Sequence, residues 1–347
     1  MTRGTALGIA IAGVAALSLT GSAQAANIVL DGWGGITADI GGGALVWSDT
    51  APAKAATFTY WRTDTGRAPF GGSIGTAAEP VLIRTSAGIS KGARVRATGT
   101  GRGYVTIAPG AAYAGPVIWC CDSTSTEVVV SSDGRDGAPA PAGAGLDGSR
   151  VRWISGSASG AVLGSASPVE GDLRGTSVSI PGNTGPGLAS IATGVAAWAG
   201  KGSSSISIGI PADDGVSGVR TVAQGGVVKS VFATPVFVVA VVKSGSRAKV
   251  VRTDVSSGTA RTVWSGSGAP VVVAGGNAIA IGTGSKVFSS RGGATARAAG
   301  TAKGLVAALA TDGKRIVVFE RITRKVTVKK RTTIVKSTVG RVLGSVR

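Results

Sequence analysis

Cys120 and Cys121 are neighbours in the chain and its only thiols. Bonded to each other they would close a small, strained ring. Such a ring staples no loop and adds little through chain entropy. A vicinal disulfide of this kind can form a hard apolar platform for a ligand, here beside Trp119. Two free thiols, or one buried and one exposed, are the other readings, because neighbours in a strand point to opposite faces. Glu127, Asp133, Asp136, Glu170, Asp172, Asp213 and Asp214 are candidates for the paired carboxylates of a glycoside hydrolase or lyase. That chemistry needs two carboxyl groups at a set separation, which spacing along a chain does not reveal. Ser132–Gly137 and Ala212–Gly215 place acids beside glycine without the spacing of an EF-hand loop. Both read as turns between strands.

Much else is excluded. With no histidine among 347 residues, there is no Ser-His-Asp or Cys-His catalysis and no histidine metal ligand. Two cysteines cannot supply the four ligands of a usual zinc site. No glycine-rich phosphate loop followed by Lys and Ser/Thr occurs. The expectation is no metal, no cofactor and no nameable catalytic residue.

Charge says more. Residues 26–214 carry 13 basic and 14 acidic side chains, whereas residues 215–347 carry 22 basic and 3 acidic, so the formal net charge of +19 belongs to the C-terminal part. It is densest at Arg321, Arg324, Lys325, Lys329, Lys330, Arg331 and Lys336. Lys325 and Lys329 are an even number apart, so in a strand they share a face. A face of that kind attracts polyanions. Anionic cell-wall polymer, lipid headgroups or an envelope protein are the expected partners. Nucleic acid is the weaker candidate, since no aromatic-rich motif interleaves with the basic residues. The alternative is a solvated strand whose lysines block unwanted edge pairing.

The start of the chain reads as an address. Arg3, the uncharged stretch Ala6 to Leu19, and Ala23-Gln24-Ala25 form a secretory signal peptide over residues 1–25, cleaved after Ala25. The mature chain, 26–347, is expected to be extracytoplasmic and to lack a transmembrane segment. Its most apolar run, Val231 to Val242, is interrupted by Pro235 and reads as buried strand.

The elements that must hold these residues are strands. Val-, Ile- and Thr-rich segments recur between Gly, Ser, Asp, Asn and Pro, no window holds a period of 3.6, and 57 glycines weigh against helix. A short pattern returns: a turn, small apolar residues, then a bulky one. It appears as Gly43-Ala-Leu-Val-Trp47, Pro116-Val-Ile-Trp119, Asp147-Gly-Ser-Arg-Val-Arg-Trp153 and Gly194-Val-Ala-Ala-Trp198. Pro235-Val-Phe-Val-Val-Ala240, Gly276-Asn-Ala-Ile-Ala-Ile281 and Asp312-Gly-Lys-Arg-Ile-Val-Val318 continue it. Successive final residues are 72, 34, 45, 42, 41 and 37 apart, close to the roughly 40–50 of a four-stranded propeller blade except at the first gap. There a repeat has lost its signature, with Glu79-Pro-Val-Leu-Ile83 as candidate, or a blade carries an insertion. Trp47, Trp119, Trp153 and Trp198 are expected to pack between blades, and Trp33, Tyr60, Trp61 and Trp264 to be buried unless one stacks on a sugar.

Ala310-Thr-Asp-Gly-Lys-Arg-Ile-Val-Val-Phe319, echoed by Leu146-Asp-Gly-Ser-Arg-Val-Arg-Trp153, resembles the blade repeat of TolB-like propellers and, more broadly, WD40-like repeats. The resemblance implies an all-β β-propeller over the mature chain, and a binding scaffold more often than an enzyme. The expected count is seven blades, with six or eight as alternatives. Two β-sandwiches split at Ala138-Pro-Ala-Pro-Ala-Gly-Ala-Gly145 are the rival fold. The common period on both sides instead makes that segment a loop between blades. A non-enzymatic binding or scaffold module at the cell envelope is the functional expectation. A carboxylate-based enzyme acting on extracellular polysaccharide is the alternative.

Overall fold

A computed structural model describes residues 28–31, 36–41, 44–50, 57–63, 81–87, 94–97, 103–107, 117–120, 126–129, 141–147, 150–157, 160–167, 172–180, 186–328 and 331–346. Every regular element among them is a strand. After β1 (Ile28–Asp31), the chain lays down antiparallel groups of four. The first comprises β2 (Ile36–Gly41), β3 (Ala44–Thr50), β4 (Thr57–Thr63) and β5 (Val81–Ala87). The second has β6 (Arg94–Ala97), β7 (Gly103–Ile107), β8 (Val117–Cys120) and β9 (Thr126–Val129). The third is β10 (Pro141–Asp147), β11 (Arg150–Ser157), β12 (Gly160–Ser167) and β13 (Asp172–Ile180), and the fourth β14 (Pro186–Ala192), β15 (Val195–Gly200), β16 (Ser205–Ala212) and β17 (Gly215–Ala223). Next come β18 (Val227–Ala233), β19 (Phe237–Ser244), β20 (Arg247–Asp254) and β21 (Ala260–Ser267), then β22 (Val271–Gly275), β23 (Ala278–Thr283), β24 (Lys286–Arg291) and β25 (Arg297–Thr301). Finally β26 (Leu305–Thr311), β27 (Arg315–Val328) and β28 (Arg331–Ser345) form a sheet whose fourth strand is β1.

First strands stand side by side at β2–β6, β10–β14, β14–β18, β18–β22 and β22–β26, β10 meets the second group at β7, and β2 of the first group packs against β26 of the last. Ile36, Ala38, Ile40 and Leu45 form one buried cluster there with Ala308, Ala310, Val317 and Phe319. Sequence-distant ends therefore close a ring, and β1 pairs with β28 from Ile28–Gly340 to Asp31–Ser337. β1 thereby covers the outer edge of β28, and each group keeps only the short outer edge of its fourth strand. The fold is an all-β propeller.

The repeat signature now has a physical cause. The second strand of a group is covered on both faces by its neighbours, so it carries a continuous apolar run instead of an alternating one. The first six residues of β19, Phe237 to Val242, are all buried, as are the first five of β15 and of β23. Fourth strands face water and read polar, as in β21. The anchors thus lie on second strands, inner strands of their groups, with one exception. Pro116–Trp119 leads into β8, a third strand, one strand later than the rest. Second strands begin at Ala44, Gly103, Arg150, Val195, Phe237, Ala278 and Arg315, and the irregular first gap shrinks accordingly. Val81–Ile83 belongs to a fourth strand, so it is not a lost anchor. The first repeat is longer because β4 ends at Thr63 and β5 begins only at Val81.

Two further expectations are corrected. The segment ending at Gly145 is largely strand: β10 opens at Pro141 and runs innermost in its group. Its glycines answer to crowding at the axis. A Cβ on Gly143 or Gly145 would overlap the backbone carbonyls of Ala189 and Ile191 on the neighbouring innermost strand, where β10 and β14 make a parallel bridge. A composition that looks like a linker is here the composition that lets two backbones touch. The apolar run Val231 to Val242 is not one strand either, for β18 and β19 meet at a turn held by Thr234, whose hydroxyl donates to the Phe237 carbonyl at 2.8 Å.

Candidate anionic-surface interface

Strand direction sorts loops onto the two ends of the ring. Turns from first to second and from third to fourth strands share one end, which we call the turn end. Turns from second to third strands, and the connections between groups, share the other end.

At the turn end, arginines are tied to acids. Arg152 is buried and spans Asp147 at 2.8 Å and Asp213 at 3.0 Å, and donates to the Ala212 carbonyl at 2.8 Å. Arg150 reaches the same Asp213 oxygen at 3.0 Å. Arg252 lies 4.0 Å above the Phe237 ring, bonds Asp254 at 2.8 Å and donates to Asn277 at 2.8 Å. Arg252, Asp254 and Asn277 line a cleft of about 580 Å³ with Pro235, Val236, Ser256 and Ser257, and Asp254 is its one carboxylate among the described residues. Asp312 accepts from the Lys314 and Arg315 amides, closing its turn. Asp213 and Asp214 sit in the β16–β17 turn, as the Asp-Gly reading expected. Of the other carboxylate candidates, Glu127 and Asp172 fall on β9 and β13, while Asp133, Asp136 and Glu170 lie outside the described residues. Cys120 ends β8 and Cys121 lies outside the described residues.

Exposed Arg261, Arg291, Arg297 and Lys314 also lie toward the turn end, beside Asp213, Asp214, Asp254 and Asp312, whereas the opposite end has its cations without exposed acids from residue 193 onward among the described residues. The opposite end carries Lys201, Lys229, Lys243, Arg247, Lys286 and Lys303, all exposed. The acid nearest it in that stretch, Glu320, is fully buried, bonded to Arg341 at 2.8 Å and accepting the Gly304 amide at 2.9 Å. Lys229, Lys243 and Arg247 line a cleft of about 510 Å³ with an apolar floor that includes Val241, Val242 and Pro270. Lys229 is the extra residue of a bulge, where the pairing with β19 shifts between Val228 and Ser230; a bulge re-aims a side chain. The sequence search missed these six cations because each is isolated. Their common signal is a place in or beside a glycine- or serine-containing turn at the same phase of the repeat, as in Lys243-Ser-Gly-Ser-Arg247.

From this basic end projects the densest basic segment. Lys325–Val328 continues β27 without interruption. β26 pairs with β27 only as far as Arg321, and β1 pairs with β28 only from Ser337. Beyond these points, among the described residues, β27 and β28 run on alone for six pairs, from Thr323–Lys336 to Val328–Arg331. That is a two-stranded ribbon about 20 Å long at the usual strand rise. Thr323 to Thr327 and Arg331 to Lys336 are exposed. The ribbon is built from residues that prefer extended backbone, eight of its fourteen from Thr323 to Lys336 being Val, Ile or Thr. Thr327 and Thr332 bond hydroxyl to hydroxyl across it at 3.0 Å.

Register decides where the charges go. Arg324 faces Val335, Lys325 faces Ile334, Lys336 faces Thr323 and Arg331 faces Val328. Each of these cations is opposite an uncharged residue, which avoids direct like-charge pairing. Paired residues share a face, so Arg324 and Arg331 lie on one face and Lys325 and Lys336 on the other. The described cations of the segment are therefore divided between two faces, on the second and third strands of the last group. Arg321 belongs to the sheet, partly buried, and its Nε lacks a partner. Lys329 and Lys330 lie outside the described residues.

Of the aromatic residues, Trp153 and Trp198 are buried as packing residues. Trp264 packs against Phe288 with ring centres 6.3 Å apart. Trp47, Tyr60, Trp61 and Trp119 fall on strands whose side chains are not described, and Trp33 lies outside the described residues.

No protein-family model matches the sequence, and no curated protein matches it. Solved structures do match in shape. The chain is similar to Kuenenia stuttgartiensis hydrazine synthase over 88% of its length and 95% of that chain, at 11% identity and a TM-score of 0.55. It is similar to U3-55K over 90% of its length and 98% of that chain, at 12% identity and a TM-score of 0.54. Kluyveromyces marxianus Hsv2 matches over 87% of this chain and 97% of that one, at 11% identity and a TM-score of 0.47. Likeness at such identities speaks for fold and leaves function to the site.

Proposed function

We propose that the chain is an exported, seven-bladed, non-enzymatic propeller with degenerate TolB-like repeats that binds anionic polymer or an anionic surface at the cell envelope. Its leader is residues 1–25. One observation carries the reading: the ribbon and the six exposed cations around it occupy one end of the ring, where the nearby Glu320 is buried and paired. Concentrated charge of one sign raises the local potential and draws in counter-charged matter. The arginine-bound acids of the turn end support the same choice. Asp147, Asp213 and Asp254 are held in ion pairs, so among the described residues they do not form a facing pair of free carboxylates.

The test is retention on immobilised long-chain polyphosphate between 0.1 and 1 M NaCl, over which the Debye length shrinks from about 10 to about 3 Å. Binding should fall steeply with salt. It should fall further in the variant Arg324→Gln/Lys325→Gln/Arg331→Gln/Lys336→Gln, with thermal unfolding nearly unchanged. Salt-independent retention, or a variant that binds like the parent, would reduce the ribbon to a solvated extension.

A further inference from the structure

We infer that the ribbon is an anchor for an anionic lipid bilayer, entering it to headgroup depth. The inference rests on the binding reading above and names the kind of surface. Among the described residues, seven large hydrophobic side chains are exposed, and four of them gather here. Val326 (40% exposed), Ile334 (58%) and Val335 (42%) are on the ribbon, and Leu305 (52%) pairs with Arg321 at its foot. Single exposed apolar residues need no explanation, but a cluster does. Strand propensity does not account for it. Thr323, Thr327, Thr332 and Thr333 serve that purpose on the same hairpin without exposing hydrocarbon.

Charge complementarity selects the occupant. A soluble polyanion offers charge and no apolar phase. A protein groove would receive one face, whereas both faces of this ribbon carry cations beside hydrocarbon. Val335 lies directly opposite Arg324, and Ile334 opposite Lys325. Charge and hydrocarbon at the same depth match the boundary between headgroups and acyl chains, where Lys and Arg stems lie along apolar matter and reach back to phosphate. Backbone sets the limit of entry. Past Arg321 and Ser337 the outer edges of β27 and β28 have no neighbouring strand among the described residues. Unpaired N–H and C=O groups are not tolerated in the hydrocarbon core. The ribbon therefore lies at the interface and does not span.

The experiment is flotation of the full mature chain with vesicles of phosphatidylcholine alone, or mixed with phosphatidylglycerol, beside the polyphosphate assay. Parent protein should float with the anionic vesicles and keep a residual fraction at 1 M NaCl. Val326→Thr/Ile334→Thr/Val335→Thr preserves strand propensity and shape, and circular dichroism checks its fold. Its vesicle partition should drop on the order of tenfold, with polyphosphate binding within about twofold of the parent and no residual at high salt. The Gln variant should lose both activities. Equal flotation of the Thr variant and parent would overturn the inference, as would polyphosphate binding without vesicle binding; either leaves the binding reading standing. Preference for duplex DNA over vesicles would overturn it in favour of nucleic acid. Binding to neither probe would sink both readings.

Discussion

The β19–β20 and β27–β28 hairpins hold the same place in their groups. β19 runs buried from Phe237 to Val242, meets Lys243 and Ser244, and turns back at Gly245 and Ser246. Gly245 has φ near +63°, which a tight turn favours and a side chain resists. β27 runs buried from Ile316 to Glu320 in the same manner, but meets no such turn where its sheet ends and continues to Val328. The shared part is held by burial between neighbours. The added part is held by strand propensity and cross-strand pairs alone. The difference teaches that the repeat governs the chain only as far as its neighbours extend. Past that line the sequence is free to serve a partner.

That contrast can be broken or sharpened, in order of expected effect. Phe319→Ala opens a cavity in the cluster that closes the ring and should cost about 3–5 kcal/mol, read as a lower midpoint in urea. The equivalent truncation on the ribbon, Ile334→Ala, should cost less than about 0.5 kcal/mol. Similar losses at the two sites would show that the ribbon packs on something. Glu320→Gln keeps the size of a buried side chain but removes the charge facing Arg341, and about 1–3 kcal/mol should go with it. Gly145→Ala forces a Cβ toward the Ile191 carbonyl, and a loss of about 1–3 kcal/mol is expected on thermal unfolding; an unchanged midpoint would mean the innermost strands are not in close contact. The smallest effect is the most local. Replacing residues 323–336 with Asn-Gly, on the pattern of the β19–β20 turn, should shift stability by less than about 1 kcal/mol while abolishing retention on polyphosphate.

Much of the fold was legible because its period is long and its second strands are apolar throughout. The pattern failed where burial differs. Trp119 falls on a third strand and misled the count by one strand, and the glycines of β10 imitate a linker because axis crowding and chain flexibility demand the same residue. The basic segment was visible as composition. Its division between two faces was not, since that depends on which residues pair across the hairpin, and Lys325 opposite Ile334 cannot be read from either strand alone. The six cations around it were hidden for a related reason. They are scattered in sequence, and only ring closure brings Lys201 and Lys303 to one end.

Closure by β1 also has a consequence in time. Gly340 is synthesised about 310 residues after its partner Ile28. Joining them closes a loop of roughly 310 residues, at an entropic cost of about 5 kcal/mol beyond a constant. The other pairings within each sheet can form as the chain emerges, because their partners are tens of residues away. The final sheet must wait with its outer edge open until the first strand returns to it. Completion of the ring is thus the slow, late event, and during that interval the exposed edge of β28 is the place where a second chain could pair instead.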